Sequence, residues 1–205
     1  MTETNLSSHQ LARDLAALIG SRICHDLISP VGAIANGVEL LAMAGTSVGP
    51  EISLISESVD NANARVKFFR VAFGAASPGQ TTGRSEMVAI LKALDGGRMS
   101  YAWEVEGDHL RAEVKLATLL ILCAETALPR GGHIRVTHSA SQWHIVATAD
   151  KMNVDAALFD RLAAVSLPDG LRANDIQFLL APLQAEVLSR HIRVSASATE
   201  LSLSF

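Results

Sequence analysis

The sequence predicts an α+β fold: a pair of long helices followed by a mixed layer of helices and strands. Two observations carry this prediction. Up to about residue 73 apolar residues recur in steps of three and four, the period of an α-helix. Beyond residue 85 short alternating stretches such as Met99, Tyr101, Trp103 and Val105 are interleaved with helical ones, which is a strand pattern with one buried face. The chain of 205 residues is 49% hydrophobic and 19% charged, a balance that buries a core rather than leaving a disordered coil.

The first helix is expected to be capped by Ser7 and Ser8 and to run to about Ala44. From Leu27 onward its apolar residues are Leu27, Val31, Ile34, Val38 and Leu41, the alternating seam of a helix that lies along another helix. After a turn from Gly45 to Gly49, Pro50 suits the first position of a second helix. Its apolar positions are Ile52, Ile55, Val59, Ala62, Val66, Phe69 and Phe73. Two such helices make an antiparallel hairpin, and because one hairpin cannot enclose a core, its seam is expected to pack on a second copy as a homodimeric four-helix bundle.

Gly74 to Ser85 is rich in Gly, Ser, Thr and Ala and contains Pro78, a linker composition. The expected domains are therefore 1–75, a helical hairpin, and 86–205, an α+β unit, joined by a linker at 76–85. In the second domain Glu86 to Leu94 reads as a helix, Met99 to Val105 as a strand, and Ala112 to Leu128 as a helix stopped by Pro129. Arg130-Gly131-Gly132 turns the chain into a hairpin of His133 to His138 and Trp143 to Ala149. A helix from Asp155 to Val165 follows, and Asn174 with Gln177 resembles a capping box for a helix ending near His191. Strands at Ile192 to Ala196 and Leu201 to Phe205 complete the layer.

Several function classes are disfavoured. A net charge of -4 without Lys/Arg runs does not suit a nucleic-acid surface. Cys24 and Cys123 lack metal-ligand spacing and read as free thiols of a reducing compartment. The start of the chain does not read as a secretory leader, and the apolar stretch Leu116 to Ala124 is too short to span a bilayer, so the expected location is cytoplasmic, away from membranes. His133, His138 and His144 lack zinc-site spacing and read as exposed strand residues. Ser29 and Ser139 lack a nucleophile-elbow context. Trp103 and Trp143 read as core or interface anchors.

The stretch Arg22-Ile23-Cys24-His25-Asp26-Leu27-Ile28-Ser29-Pro30 asks for a chemical explanation. At about 100° per residue His25 points away from Leu27 and Ile34, although it continues the face of Leu11 and Leu18. Arg22 lies one turn before it and Ser29 one turn after, a cation and a hydroxyl that suit a phosphate. Asp26 is placed to accept a proton from one ring nitrogen and so make the other more nucleophilic. Pro30 has no amide hydrogen for the Asp26 carbonyl, so the helix is expected to bend or loosen there, giving a docking protein room. Taken singly, a helical His is an idle surface residue more often than a nucleophile, and a helical Pro is often only a kink.

Together, His25-Asp26-Leu27-Ile28-Ser29-Pro30 resembles the phosphoacceptor box of histidine kinase dimerisation domains. The longer run through Val31-Gly32-Ala33-Ile34, with Asn36, Gly37, Glu39, Leu40 and Leu41, is similar to the ChpT-type histidine phosphotransferases. The resemblance implies that the second domain is a histidine-kinase ATPase-like α/β sandwich, but a degenerate one. The helix that carries a metal-binding asparagine in such kinases reads Leu119 to Ala127 with no Asn, and the glycine-rich adenine segment reads Asp150-Lys151-Met152-Asn153-Val154. No Gly follows Gly170.

The resemblance thus implies a phosphorelay shuttle in two-component signal transduction. It takes a phosphoryl group from a receiver domain of a hybrid histidine kinase onto His25 and passes it to the receivers of response regulators. Asp26 is the proton acceptor, and Arg22, Ser29 and Pro30 contact the phosphate or the partner. No cofactor and no ATP are expected on this chain, and the Mg²⁺ for transfer is expected from the acidic pocket of the receiver. The alternatives are a non-enzymatic dimeric docking module that regulates a histidine kinase, with His25 incidental, and an active kinase with an unusual ATP site.

Overall fold

The computed structural model describes residues 2–44, 50–163, 165 and 172–205. The chain divides into two compact units, one comprising Met1–Val66 with Arg172–Ile176 and the other Lys67–Leu171 with Gln177–Phe205. The first unit holds α1, Thr2–Ala44, and most of α2, Pro50–Phe73. The helix starts earlier than Ser7 and Ser8 suggest, so both serines lie inside it rather than at its cap. The expected turn from Gly45 to Gly49 falls outside the described residues.

Within this unit the seam residues split into two sets. Leu27, Ile34 and Leu41 of α1 and Ile55 and Ala62 of α2 are half-buried, and Pro30, Gly37 and Ser58 are buried. Val31 and Val38 of α1, together with Ile52, Val59 and Val66 of α2, stay exposed and recur every seven residues. Pro30 does not end α1, which continues through it for fourteen further residues, from Val31 to Ala44.

In the second unit the end of α2 buries Phe68, Phe69, Val71 and Ala72. Carbonyls at and just past its end accept hydrogen bonds from α4, Arg111–Thr126. Arg111 Nη2 donates to the carbonyl of Arg70 at 2.8 Å and Nε to that of Ala75 at 3.1 Å, and Lys115 Nζ donates to that of Gly74 at 2.9 Å. Burial and the neighbouring Arg111 charge hold the Lys115 ammonium below its ordinary pKa. The segment that reads as a linker is accordingly tied down: β1, Thr81–Thr82, pairs with β3, His109–Leu110. Strand pairing between Thr81 and Leu110 and between Thr82 and His109 leaves no local trace in a Gly/Ser/Thr stretch, which is why composition reads it as loop.

Five further strands form one sheet in the order β2-β4-β5-β7-β6: β2 Met99–Trp103, β4 Gly132–Ser139, β5 Gln142–Thr148, β6 Arg193–Ala196 and β7 Glu200–Ser204. Only β2 and β4 are parallel, because α4 forms the crossover between them. Alternate residues Ile134, Val136, Trp143, Ile145, Ala147, Leu201 and Leu203 are buried on one face. α3, Arg84–Leu94, packs on β2, while α4 packs on the middle of the sheet and on α6, Gln177–Val187. α4 is buried from Leu116 to Ala124, and its one polar residue there, Thr118, bonds the Val114 carbonyl at 2.7 Å.

Gly131 is obligatory: its φ is +95°, and a Cβ would lie 2.1 Å from the Arg98 carbonyl oxygen. The helix expected from Asp155 to Val165 is shorter: Asp155 caps α5, which is only Ala156–Phe159 and tightens into a 3-10 turn, Asp160–Ala163. Asn174 and Gln177, the expected capping-box pair, lie where a 3-10 turn gives way to a helix. Ala173–Asp175 is a 3-10 turn, and α6 begins at Gln177.

Of the strand histidines, His133 is exposed, with Nδ1 2.9 Å from Ser100 Oγ. His138 instead lies half-buried against Trp143 and edge-on to His109, with ring centroids 5.0 and 4.5 Å away. Trp143 is fully buried, stacked on Phe205 and tilted against Trp103. Burial lowers the His138 pKa from its ordinary 6.5, His109 and Arg190 lower it further, and Glu113 opposes them. The folded imidazole therefore resists protonation that the unfolded chain accepts, so its stabilising contribution is present above pH 6.5 and lost as pH falls through the lowered value. Urea midpoints measured between about pH 7.5 and 5 should fall more steeply for the wild type than for His138→Gln. Equal acid sensitivity would remove His138 from the account.

Candidate functional site

α1 presents two faces around His25. Arg22, Asp26 and Pro30 succeed one another at i+4 on the sheltered side, whereas His25, Ile28, Ser29 and Gly32 lie on the open side. The His25 side chain is 65% exposed. Ile28 beside it is 69% exposed, an apolar side chain left in water next to the imidazole. Cys24 and Ser29 are exposed as well, and Cys24 is a free thiol.

A chain of polar contacts ends on the imidazole. His25 Nδ1 is 3.1 Å from Asp26 Oδ1. The other carboxylate oxygen, Oδ2, accepts from Arg22 Nε and lies 3.1 Å from Nη2. Arg22 Nη1 donates to the carbonyl oxygen of Asn174 at 2.7 Å. Asn174 sits in the turn Ala173–Asp175, a segment of the same compact unit as α1, and Arg172 Nε bonds Asp175 Oδ2 in that turn at 2.6 Å. The side chains of Arg22 and Asp26 are 10% and 14% exposed.

The chemistry follows from donor and acceptor counting. An ionised carboxylate only accepts, so the hydrogen shared with it sits on His25 Nδ1, and the lone pair of a neutral imidazole then lies on Nε2. Nε2 has no hydrogen-bond partner among the described residues, on a side chain that is 65% exposed. The arrangement is an oriented nitrogen nucleophile open to a large reactant.

Two expected site residues take other places. Pro30 is buried, so its surface is not offered to a phosphate or a docking protein. Arg22 does not stand free beside the imidazole, because all three of its guanidinium nitrogens are engaged by Asp26 and Asn174. The i,i+4 spacing of Arg22 and Asp26 was a readable signal for their pairing. The Asn174 carbonyl carried none, since any residue supplies a carbonyl and 152 positions separate the partners. Among the described residues no group of three or more His, Cys, Asp or Glu side chains gathers to hold a metal ion, and no helix is long and apolar enough to cross a membrane.

Residues 84–200 match the family model described as the histidine phosphotransferase C-terminal domain. Over 201 residues the chain is 33% identical to the protein phosphotransferase ChpT of Brucella abortus (strain 2308), covering 94% of this chain and 95% of that one. The solved structure of a bacterial phosphotransferase superimposes with a TM-score of 0.76 at 30% identity, over 94% of this chain and 96% of the other. Full-length coverage in both directions extends the likeness from the sheet to the helices that carry His25, and the chain is a member of the ChpT-type histidine phosphotransferase family.

Proposed function

We infer that this chain is the histidine carrier of a multistep phosphorelay, taking a phosphoryl group from a receiver-domain aspartate onto His25 and handing it to response regulators. The observation that carries the reading is an exposed imidazole whose Nδ1 is engaged by Asp26 while Nε2 is bare. In the forward step Nε2 attacks phosphorus, the N–P bond forms and the P–O bond of the acyl phosphate breaks. The receiver aspartate leaves as a carboxylate, and the Nδ1 proton is drawn to Asp26 Oδ1. Acyl phosphate and phosphohistidine are both high in transfer potential, so the step reverses with the partners' concentrations, and no ATP is consumed on this chain. The divalent ion that neutralises the phosphoryl oxygens belongs to the acidic pocket of the receiver.

Ser29, exposed one turn after His25, is the remaining candidate for a phosphate contact, and Ile28 offers the docking receiver an apolar foothold. We assign residues 1–75 to dimerisation and phosphoacceptance and 86–205 to an ATPase-like domain that has lost its nucleotide site. In support, the stretch Leu119 to Ala124 is wholly buried, and Glu125 is occupied by the Tyr101 hydroxyl at 2.6 Å. The protein is proposed to act in the cytoplasm, where receiver domains reside. The test maps the phosphate: after incubation with a phosphorylated receiver, acid-labile phosphate is expected on the peptide holding His25. Phosphate on another residue would overturn the assignment.

The homodimer is part of this reading. Val31, Val38, Ile52, Val59 and Val66 are exposed in the single chain at heptad spacing, and burying a valine contributes roughly 1.5–3 kcal/mol. Sedimentation of the wild type is expected at twice the 21.7 kDa chain mass. A Val38→Glu, Val59→Glu variant should sediment as a folded monomer, and a dimer of unchanged strength would place the interface elsewhere.

A further inference from the structure

We propose that Arg22 is a positioning residue for phosphoryl transfer, acting through Asp26 to set which nitrogen of His25 is the nucleophile. The proposal rests on the phosphoacceptor reading and replaces the phosphate contact that spacing alone suggests for Arg22. The guanidinium is a rigid planar fork, and here its three nitrogens are shared between one carboxylate oxygen and one peptide carbonyl. Nε and Nη2 hold Asp26 Oδ2, which turns Oδ1 toward the imidazole. Nη1 is anchored at 2.7 Å on Asn174, whose carbonyl belongs to a turn closed by the Arg172–Asp175 pair. An anchored fork leaves the carboxylate little rotational freedom, so the hydrogen stays on Nδ1 and Nε2 faces solvent ready for phosphorus.

The division of labour has a chemical reason. A cation on the exposed side of His25 would attract phosphate but would also repel an imidazolium forming in the transition state. On the sheltered side, bonded to the far oxygen of Asp26, the same cation keeps the carboxylate fixed, while Oδ1 still faces the ring. Lysine cannot reproduce this: its ammonium is a point donor that does not span the carboxylate and the Asn174 carbonyl in one plane. Without the fork, Asp26 can rotate away and the imidazole exchanges its proton between both nitrogens, as an unrestrained ring does.

The experiment uses the full chain labelled with ¹⁵N, at about pH 9, well above ordinary imidazole titration. Long-range ¹H–¹⁵N correlations report which His25 nitrogen bears the hydrogen, with His25→Ala identifying the signals. Transfer rates from a phosphorylated receiver are measured on the same samples. In the wild type the hydrogen is expected on Nδ1. In Arg22→Gln it should redistribute toward Nε2, with transfer slowed on the order of ten- to a hundredfold, the usual cost of a misplaced reacting group. Arg22→Lys should fall between the two, and it carries the test if Arg22→Gln fails to fold.

An unchanged tautomer in both variants would overturn the proposal, whatever the transfer rate. Were the wild type never labelled while its tautomer still depended on Arg22, the positioning would stand and the phosphoacceptor reading would fall.

Discussion

Replacing His25 by Ala should abolish phosphoryl capture outright while leaving the chain folded and dimeric. The loss is complete because the N–P bond has no second candidate on this face: Ser29 and Cys24 would form a phosphoester or thiophosphate with a different lability. Folding is expected to survive because the side chain is 65% exposed and its polar contact is with its own neighbour Asp26. Surface substitutions of this kind stay within about 0.5 kcal/mol, and alanine is the better helix former. Circular dichroism and sedimentation unchanged from wild type, with no acid-labile phosphate, are the combined expectation. A variant that still becomes labelled would remove His25 from the mechanism.

The second large effect is expected from Asp26→Asn, which keeps the shape but removes the charge and leaves a single acceptor oxygen where Arg22 and His25 now have one each. General-base assistance contributes about 10²- to 10⁴-fold, and a drop of that order in the capture rate is expected. Arg22 Nε and Nη2, bonded to Oδ2, claim that one acceptor, which turns the amide NH2 toward His25 Nδ1. The buried Arg22 charge then loses its counter-ion, which destabilises the unit as well. Thermal unfolding must therefore be measured beside the rate, and the rate compared at a temperature where both proteins are folded. A variant within about twofold of wild type in rate would confine Asp26 to a structural role, because uniform contacts do not set the height of the barrier.

Much of the architecture was legible because it is written in local periodicity. The limits of α2 at Pro50 and Phe73, the end of α1 at Ala44, the β4–β5 hairpin and the start of a helix at Asp155 all follow from residues within a few positions of the feature. What escaped depends on distant partners. The strand Thr81–Thr82 exists because His109–Leu110 lies beside it. The order of the sheet, with β7 between β5 and β6, is set by packing that no stretch of sequence shows alone. The helix after Asp155 was read too long, because the apolar residues of 156–163 continue a helical period while the backbone tightens to 3-10 after Phe159.

The same distinction runs through the site. His25, Asp26 and Ser29 were proposed from one helical turn of sequence, and helical geometry alone put His25 on the open side, where it is exposed. The pairing of Arg22 with Asp26 has a physical reason: i+3 and i+4 neighbours are both within reach of an arginine, and the carboxylate at i+4 is a stronger attractor than the imidazole at i+3. Pro30 was expected at the surface because its missing hydrogen bond suggests an opening, yet its apolar ring is sheltered instead, and α1 continues past it.

The most direct test of the central claim follows radiolabelled phosphate from a phosphorylated hybrid-kinase receiver to the wild-type chain and to His25→Ala, with labelled ATP alone as the control. The account predicts label on the wild type only, and only with the receiver present. Labelling by ATP alone would contradict the loss of the nucleotide site, and a wild type that takes no label from any receiver would leave a docking module in place of a carrier.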